Sequence, residues 1–293
     1  MRTMNIKWLS ILLNLALASL GFAQGVSIKA VPATPNRIIG HYRNASGPAT
    51  PGGQHDALVQ RTDMVFPHIA TGGGWETVMV IVNISSQPVD FVQKFFDESG
   101  APMNVTFRTF PEGIVITAPS TSGHLGPLQS FNFALLDATP DLQVGWASLE
   151  YDSTNARLGG YEAFRLKAGG VINEGLVPLA SYADIDFDMP FDNIEGFATG
   201  LALANPASNL TNHVHIVAYD LNGNRIATLN VSIPPNGHFS GVLADLIPSL
   251  DGVTGTLSVS SDLTVLSAVG IRMNVAQGYT FASIPVMNFI PGI

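Results

Sequence analysis

Val80-Ile81-Val82-Asn83 is an apolar run closed by Asn, and Ala202-Leu203-Ala204-Asn205 repeats it about 122 residues later. Reading outward, Phe96-Asp97-Glu98-Ser99-Gly100 returns as Tyr219-Asp220-Leu221-Asn222-Gly223. Gly145-Trp146-Ala147-Ser148-Leu149 returns as Gly255-Thr256-Leu257-Ser258-Val259. Phe164-Arg165 aligns with Ile271-Arg272, and Val177-Pro178 with Ile284-Pro285. The spacing shrinks to about 107, so the first copy carries about 15 extra residues. Self-similarity at a fixed spacing marks duplicated structural units.

Within each copy, short runs of Val, Ile, Leu and Phe are separated by turn residues, the signature of an all-β sandwich or barrel. Helical periodicity is scarce: Leu243 to Leu250 gives one turn before Pro248, with Phe133 to Leu136 as its counterpart. Asp220-Leu221-Asn222-Gly223 predicts a hairpin, with Asn-Gly favouring a type I′ turn because both residues tolerate positive φ. Side chains alternate across a strand, so Leu257 and Val259 mark the core face of their strand. By alignment, Ala147, Leu149 and Tyr151 face the core, and Trp146, Ser148 and Glu150 face outward.

The chain divides accordingly. Residues 1–23 read as a signal peptide: Arg2 and Lys7 precede the apolar run Trp8 to Leu20, and Gly21-Phe22-Ala23 offers a small-residue cleavage site. Residues 24–64 form a leader rich in Pro, Gly, Asn and Ser, with one strand expected near Val31. Such a composition buries too little apolar surface to offset its ordering entropy. Residues 65–180 make a first β-sandwich domain, and residues 181–293 a linker strand and a second.

An Asn-ended strand, an aromatic-Asp-x-x-Gly hairpin, a Gly-x-apolar-Ser-apolar strand, an Arg-bearing strand and a closing apolar-Pro together carry a resemblance. The pattern resembles the tandem immunoglobulin- or fibronectin-like modules of exported proteins from environmental bacteria, over Phe66 to Met287. Asn83 precedes Ile84, whereas Asn205 precedes Pro206. The resemblance implies two tandem immunoglobulin-like β-sandwich domains, non-catalytic and extracellular, and supplies no functional residues.

Composition excludes several classes. Loss of the signal removes Arg2 and Lys7 and takes the formal net charge from −9 to −11. So acidic a chain is a poor nucleic-acid binder, because phosphate contact needs a positive surface. With no Cys, disulfides, thiolate chemistry, Cys-dependent zinc sites and a lipid-anchoring N-terminal Cys are excluded. No transmembrane segment is expected after signal cleavage, so the product is secreted, periplasmic or held at the cell surface. The five Asn-x-Ser/Thr sites, at Asn44, Asn83, Asn104, Asn209 and Asn230, are what chance gives in a chain rich in these residues.

Candidate chemistry is sparse. Asp184, Asp186 and Asp188 alternate and would share a strand face, where converging oxygens suit Ca²⁺; the competing reading is an acidic solvent face. No other cofactor is expected. His213 and His215 also share a face and need a third metal ligand, for which His238 is the candidate. Gly237-His238-Phe239-Ser240-Gly241 lacks the central Ser of a nucleophile elbow, and Gly72-Gly73-Gly74 lacks the Lys-Ser/Thr of a phosphate loop. Trp75 and Phe197 occupy matching slots and read as plugs at the sandwich ends. Arg165 and Arg272, like Asp97 and Asp220, read as structural polar pairs.

Trp146 is the strongest binding candidate. If its strand pairs with the next, Trp146 and Tyr161 stand side by side beside Glu150 and Arg165, a face able to stack on sugar rings or anchor a protein. The competing reading has Trp146 covered by the leader, the first-copy insertion or the second domain. The sequence thus points to an exported, non-catalytic structural or adhesive module whose partner is a protein or a polysaccharide. A carbohydrate-binding module using the Trp146 face comes second. A β-sandwich hydrolase with Asp184 and Asp186 lining a cleft comes third.

Overall fold

The computed structural model describes residues 28–29, 64–152, 154, 156–168, 171–181, 186–262, 265–276 and 280–288. The residues read as a signal peptide, most of those read as a leader, the strand expected near Val31 and Asp184 lie outside them. The described chain is all-β and forms four antiparallel sheets.

Two sheets belong to the N-terminal half. The first has the order β1 (Ile28–Lys29), β7 (Ser120–Leu125), β4 (Val89–Asp97), β9 (Gln143–Tyr151), β2 (Met64–Thr71), β12 (Ala180–Ser181). The second runs β11 (Val171–Pro178), β10 (Leu158–Ala168), β3 (Trp75–Asn83), β8 (Ser130–Leu135), β5 (Val105–Phe110), β6 (Val115–Ala118). Phe66, Phe91, Phe95 and Leu149 of the first meet Met79, Phe107, Phe131 and Phe133 of the second in one core. In the C-terminal half the third sheet is β16 (Arg225–Ile233), β15 (Asn212–Asp220), β18 (Thr254–Ser261), β13 (Asp186–Asp192), β21 (Met287–Asn288). The fourth is β17 (His238–Val242), β14 (Phe197–Ala204), β19 (Ser267–Asn274), β20 (Thr280–Ile284). Phe187, Met189, Ile216, Leu257 and Val259 of the third sheet pack with Leu201 and Leu203 of the fourth.

The two strand orders superimpose. β4, β9, β2 and β12 match β15, β18, β13 and β21, while β10, β3 and β8 match β19, β14 and β17. The extra residues of the first copy are the β5–β6 ribbon, which widens the second sheet where the fourth stops at β17. The expected helical turn is present at α1 (Leu243–Leu246), followed by a 3₁₀ turn at Pro248–Leu250. Its proposed counterpart, Phe133 to Leu136, is not helical: its first three residues end strand β8.

The pairing departs from the immunoglobulin order. There strands one and two share one sheet and strands six and seven share the other. Here β13 and β14 lie in different sheets, as do β18 and β19. Alternation in a sequence says which face a residue takes and nothing about its neighbouring strand, so this order was not legible.

Local chemistry explains the repeated residues. Asn83 is fully buried and its Nδ2 donates to the carbonyls of Gln87 (2.7 Å), Leu125 (3.0 Å) and Gly126 (3.2 Å). Asn205 does the same to Leu210 (2.8 Å), Ile233 (3.1 Å) and Pro234 (2.9 Å). Each Asn thus satisfies carbonyls where the chain leaves a strand, as buried polar groups require. Thr77 and Thr199 form a second pair: each hydroxyl accepts from, and donates to, the backbone of the preceding strand, at Ala70 and Asp192.

The Asp hairpin is also shared, with a correction. Gly100 and Gly223 take φ of +84° and +78°, but Asn222 is not among the positive-φ residues, so the turn is not type I′. The Asp220 carboxylate accepts from the backbone N–H of Asn222 and Asn224 (2.8 Å each), and Asp97 accepts from Ser99 (2.8 Å) and Ala101 (3.0 Å). That Asx turn holds the residue before Gly in ordinary negative-φ backbone. The Asn224 side-chain amide, which donates to Asp220 Oδ2 at 3.0 Å, holds the Asp220 carboxyl below the usual carboxylate range, helped by these backbone hydrogen bonds.

Candidate functional site

The two halves meet through the outer face of the fourth sheet. On β14, Leu201 and Leu203 enter the C-terminal core, while Gly200, Ala202 and Ala204 point the other way. These small side chains let the N-terminal half approach closely: Ala202 packs with Trp75, Phe164 and Leu166, and Ala204 with Trp146 and Val65. Buried on both faces, β14 reads as a continuous apolar run instead of alternating with polar residues.

A one-residue β-bulge organises the junction. On β2, Phe66 lies opposite Ala147 and Ile69 opposite Gly145, so Pro67 and His68 together face Trp146. The matching β13 runs without a shift: Met189, Pro190 and Phe191 face Leu257, Thr256 and Gly255. Bulges re-aim side chains, and here the extra residue, His68, reaches the C-terminal half. Its Nδ1 lies 3.1 Å from Nε2 of His238, with the rings stacked at 5.1 Å, and it also packs on Phe164 at 5.3 Å. At that distance one nitrogen carries the proton and the other accepts it. Burial pushes His68 down to about 4, and burial followed by the His68 charge pushes His238 well below its ordinary value. The pair is therefore uncharged at neutral pH.

Trp146 sits beside it and is fully buried. Its indole stacks on Phe96 at 4.8 Å, and its Nε1 donates to the carbonyl of Asn236 at 2.6 Å. The backbone N–H of His238 donates to the carbonyl of Glu98 at 3.2 Å, so the N-terminal Asp hairpin docks on the loop entering β17. Between the halves lies an apolar crevice of about 100 Å³, walled by Trp75, Phe164, Met273 and Phe281 with His68 at its edge.

The predicted face around Trp146 is taken apart. Trp146 does lie on the outer side of β9, but the second half covers that side, so it offers no open stacking platform. Tyr161 is 41% exposed yet stands on β10 in the other sheet, because β9 pairs with β4 and β2 and not with β10. Glu150 is buried and ion-paired with Lys94 at 2.6 Å. Arg165 pairs with Glu174 across β11 at 2.5 Å.

Arg165 and Arg272 are not counterparts. Met79 faces Glu162 and its equivalent Leu201 faces Gly270, so the strands align one residue away from the sequence match. A slip of one residue reverses the face. Arg272, the counterpart of Phe164, binds Asp192 at 2.6 Å and stacks on Phe197 at 3.3 Å. Phe197 accordingly plugs its own half, whereas Trp75 packs at 5.4 Å on Phe281 of the other half.

Asp186 is exposed and Asp188 partly so, and among the described residues no group of three His, Asp or Glu is placed to hold a metal. His213 and His215 share a face of β15, bonded to Ser232 (2.9 Å) and Asn230 (2.5 Å), while His238 is buried at the junction. Full burial also closes Asn83 to glycosylation in the folded chain.

The sequence reading missed the His68–His238 pair. The signal was Phe66-Pro67-His68-Ile69 against Met189-Pro190-Phe191, one residue longer in the first copy. No family model, curated protein or solved structure matches the chain.

Proposed function

We propose that the chain is an exported, non-catalytic module, built from two tandem β-sandwich domains, that serves as a structural or adhesive element at the cell surface or in the surrounding matrix. The domains share the two-sheet architecture of immunoglobulin-like modules but not their strand order. The observation that carries the reading is the junction. Trp146, His68 and the Asp97 hairpin of one copy are buried against the other, so two repeats form one stiff body instead of beads on a tether. Stiffness suits a spacer or adhesin. The test is co-sedimentation of the secreted protein with intact cells, cell envelopes and insoluble matrix; protein left entirely in the supernatant by all three overturns it.

Polysaccharide binding is a second reading, favoured by a different face from the one the sequence indicated. Tyr161, Val80, Asn132 and Phe110 are successive cross-strand neighbours on the outer face of the second sheet. Three strand spacings place the two rings about 14 Å apart. A glycan array read with wild type and Tyr161→Ala separates the readings: equal binding, or none, removes this one.

A further inference from the structure

The two halves touch through a pair of imidazoles, one from each copy. Nδ1 of His68 and Nε2 of His238 lie 3.1 Å apart, a spacing with room for one proton between them. A second proton on the facing nitrogens would set N–H against N–H. A single shared proton would leave an imidazolium against Phe164, which His68 packs on, and Ala204, the cross-strand neighbour of His238.

The charged groups around the pair do not neutralise it. On the C-terminal side, β14, β17 and β20 carry no titratable residue besides His238, and Arg272 of β19 turns to Asp192 on the other face of the sheet. On the N-terminal side, Glu150 of β9 is paired with Lys94 of β4. Glu76 of β3 and Arg165, Lys167 and Tyr161 of β10 belong to the outer face of the second sheet, while Phe164 and His68 lie on its inner side. Glu162 shares the Phe164 face of β10, but burial raises it and its oxygens bond to nothing. Asp137 and Asp141 are exposed at the Thr71 end of β2. In the docked hairpin Asp97 is held by its own turn, and Glu98 is raised first by partial burial and then by the Asp97 charge. Acid therefore favours closure at Glu98 and opposes the histidines. Only the Pro67 carbonyl favours a charged His238, and burial and His68 outweigh it.

We infer that the His68–His238 contact is an acid-released latch: proton uptake by the two rings parts the halves and uncovers Trp146, while each sandwich stays folded. Each half keeps a core of its own, separate from the clusters at the junction. The direction follows from linkage. The ordinary imidazole value is 6.5, whereas His68 in the closed junction titrates at about 4 and His238 well below its ordinary value. Above 6.5 closed and open forms are both neutral, and the contact is fully stabilising. As pH falls from 6.5 toward 4, the open form binds two protons that the closed form does not, and the latch weakens.

The inference goes beyond the structural reading and needs only the junction. A latch that works is compatible with no envelope binding, and a latch that fails leaves envelope binding standing. The chain from Gln24 carries two tryptophans, Trp75 and Trp146, both at the junction, so its emission reports the contact. Opening is measured by hydrogen exchange at the amide of residue 238, which donates to the Glu98 carbonyl of the other half, corrected for its intrinsic rate. From pH 6 to pH 5 its protection is expected to fall about fiftyfold in the wild type and about eightfold in His68→Gln or His238→Gln, and to stay level in the double variant. Tryptophan emission should shift to the red over the same range, with the far-ultraviolet circular dichroism of the sheets unchanged. A wild-type fall of about tenfold or less, the one-proton limit, overturns the inference. So does a folded double variant that follows the wild type, or loss of the sheet signal together with the emission shift. Where a variant does not fold at neutral pH, the wild-type slope decides.

Discussion

The N-terminal and C-terminal halves share strand order, Asn corners, Asp hairpins and Thr clamps, yet they differ where they meet. The first copy acquired a bulge at Pro67-His68, a Trp at position 146 and an extra ribbon, and the second answers with a small-residue face on β14. What the copies share holds each sandwich together. What they do not share holds the pair together.

Several substitutions test that division. Trp146→Ala should produce the largest effect, about 3–5 kcal/mol in chemical denaturation, because a buried indole is lost and the Asn236 carbonyl loses its donor. Thr256→Ala, at the matching site, should stay within about 1 kcal/mol. Equal costs would contradict the assignment of Trp146 to the junction. Asn83→Ala and Asn205→Ala should each cost about 2–3 kcal/mol by leaving buried carbonyls unpaired, and here the halves should agree. Urea titrations that gave one large and one negligible loss would break the equivalence.

The paired hairpin glycines sharpen the contrast. Both have positive φ, but a Cβ on Gly223 meets nothing within 4 Å, whereas one on Gly100 would lie 1.9 Å from the Pro235 carbonyl oxygen. Gly223→Ala should cost about 1–2 kcal/mol of backbone strain. Gly100→Ala should cost more and loosen the junction, read as raised protease sensitivity between the halves.

The smallest expected effect, near pH 4, concerns Glu162, whose counterpart is Gly270. Glu162 is fully buried, both its oxygens lack partners, and burial raises it well above the ordinary carboxylate range. The folded chain therefore keeps a proton that the unfolded chain releases once pH exceeds the unfolded value. Stability falls as pH rises from there toward the folded value. Glu162→Gln should match wild type within about 1 kcal/mol near pH 4 and gain on it as pH rises. Parallel melting curves across that range would refute the assignment.

How much of this the sequence disclosed follows from what each signal encodes. Duplication and core faces were legible: Leu257, Val259, Ala147 and Leu149 are all buried, as alternation required. Strand neighbours were not, which is why Trp146 and Tyr161 were expected side by side. Arg165 and Arg272 aligned by identity, yet the ladder places them on opposite faces, because one residue is within alignment error and decisive for a strand. The cover over Trp146 was undecidable from β9 itself. Its trace lay in Gly200, Ala202 and Ala204, whose lack of bulk permits the close approach.

A single inserted residue has made the duplication directional. His68 exists only because β2 is one residue longer than β13, and its ring meets His238 of the other copy. Exchanging the two copies would present a straight strand to a surface shaped for a bent one. Recombination between the repeats, which ordinarily keeps tandem genes alike, would therefore yield mismatched proteins, so their divergence is expected to be maintained by selection.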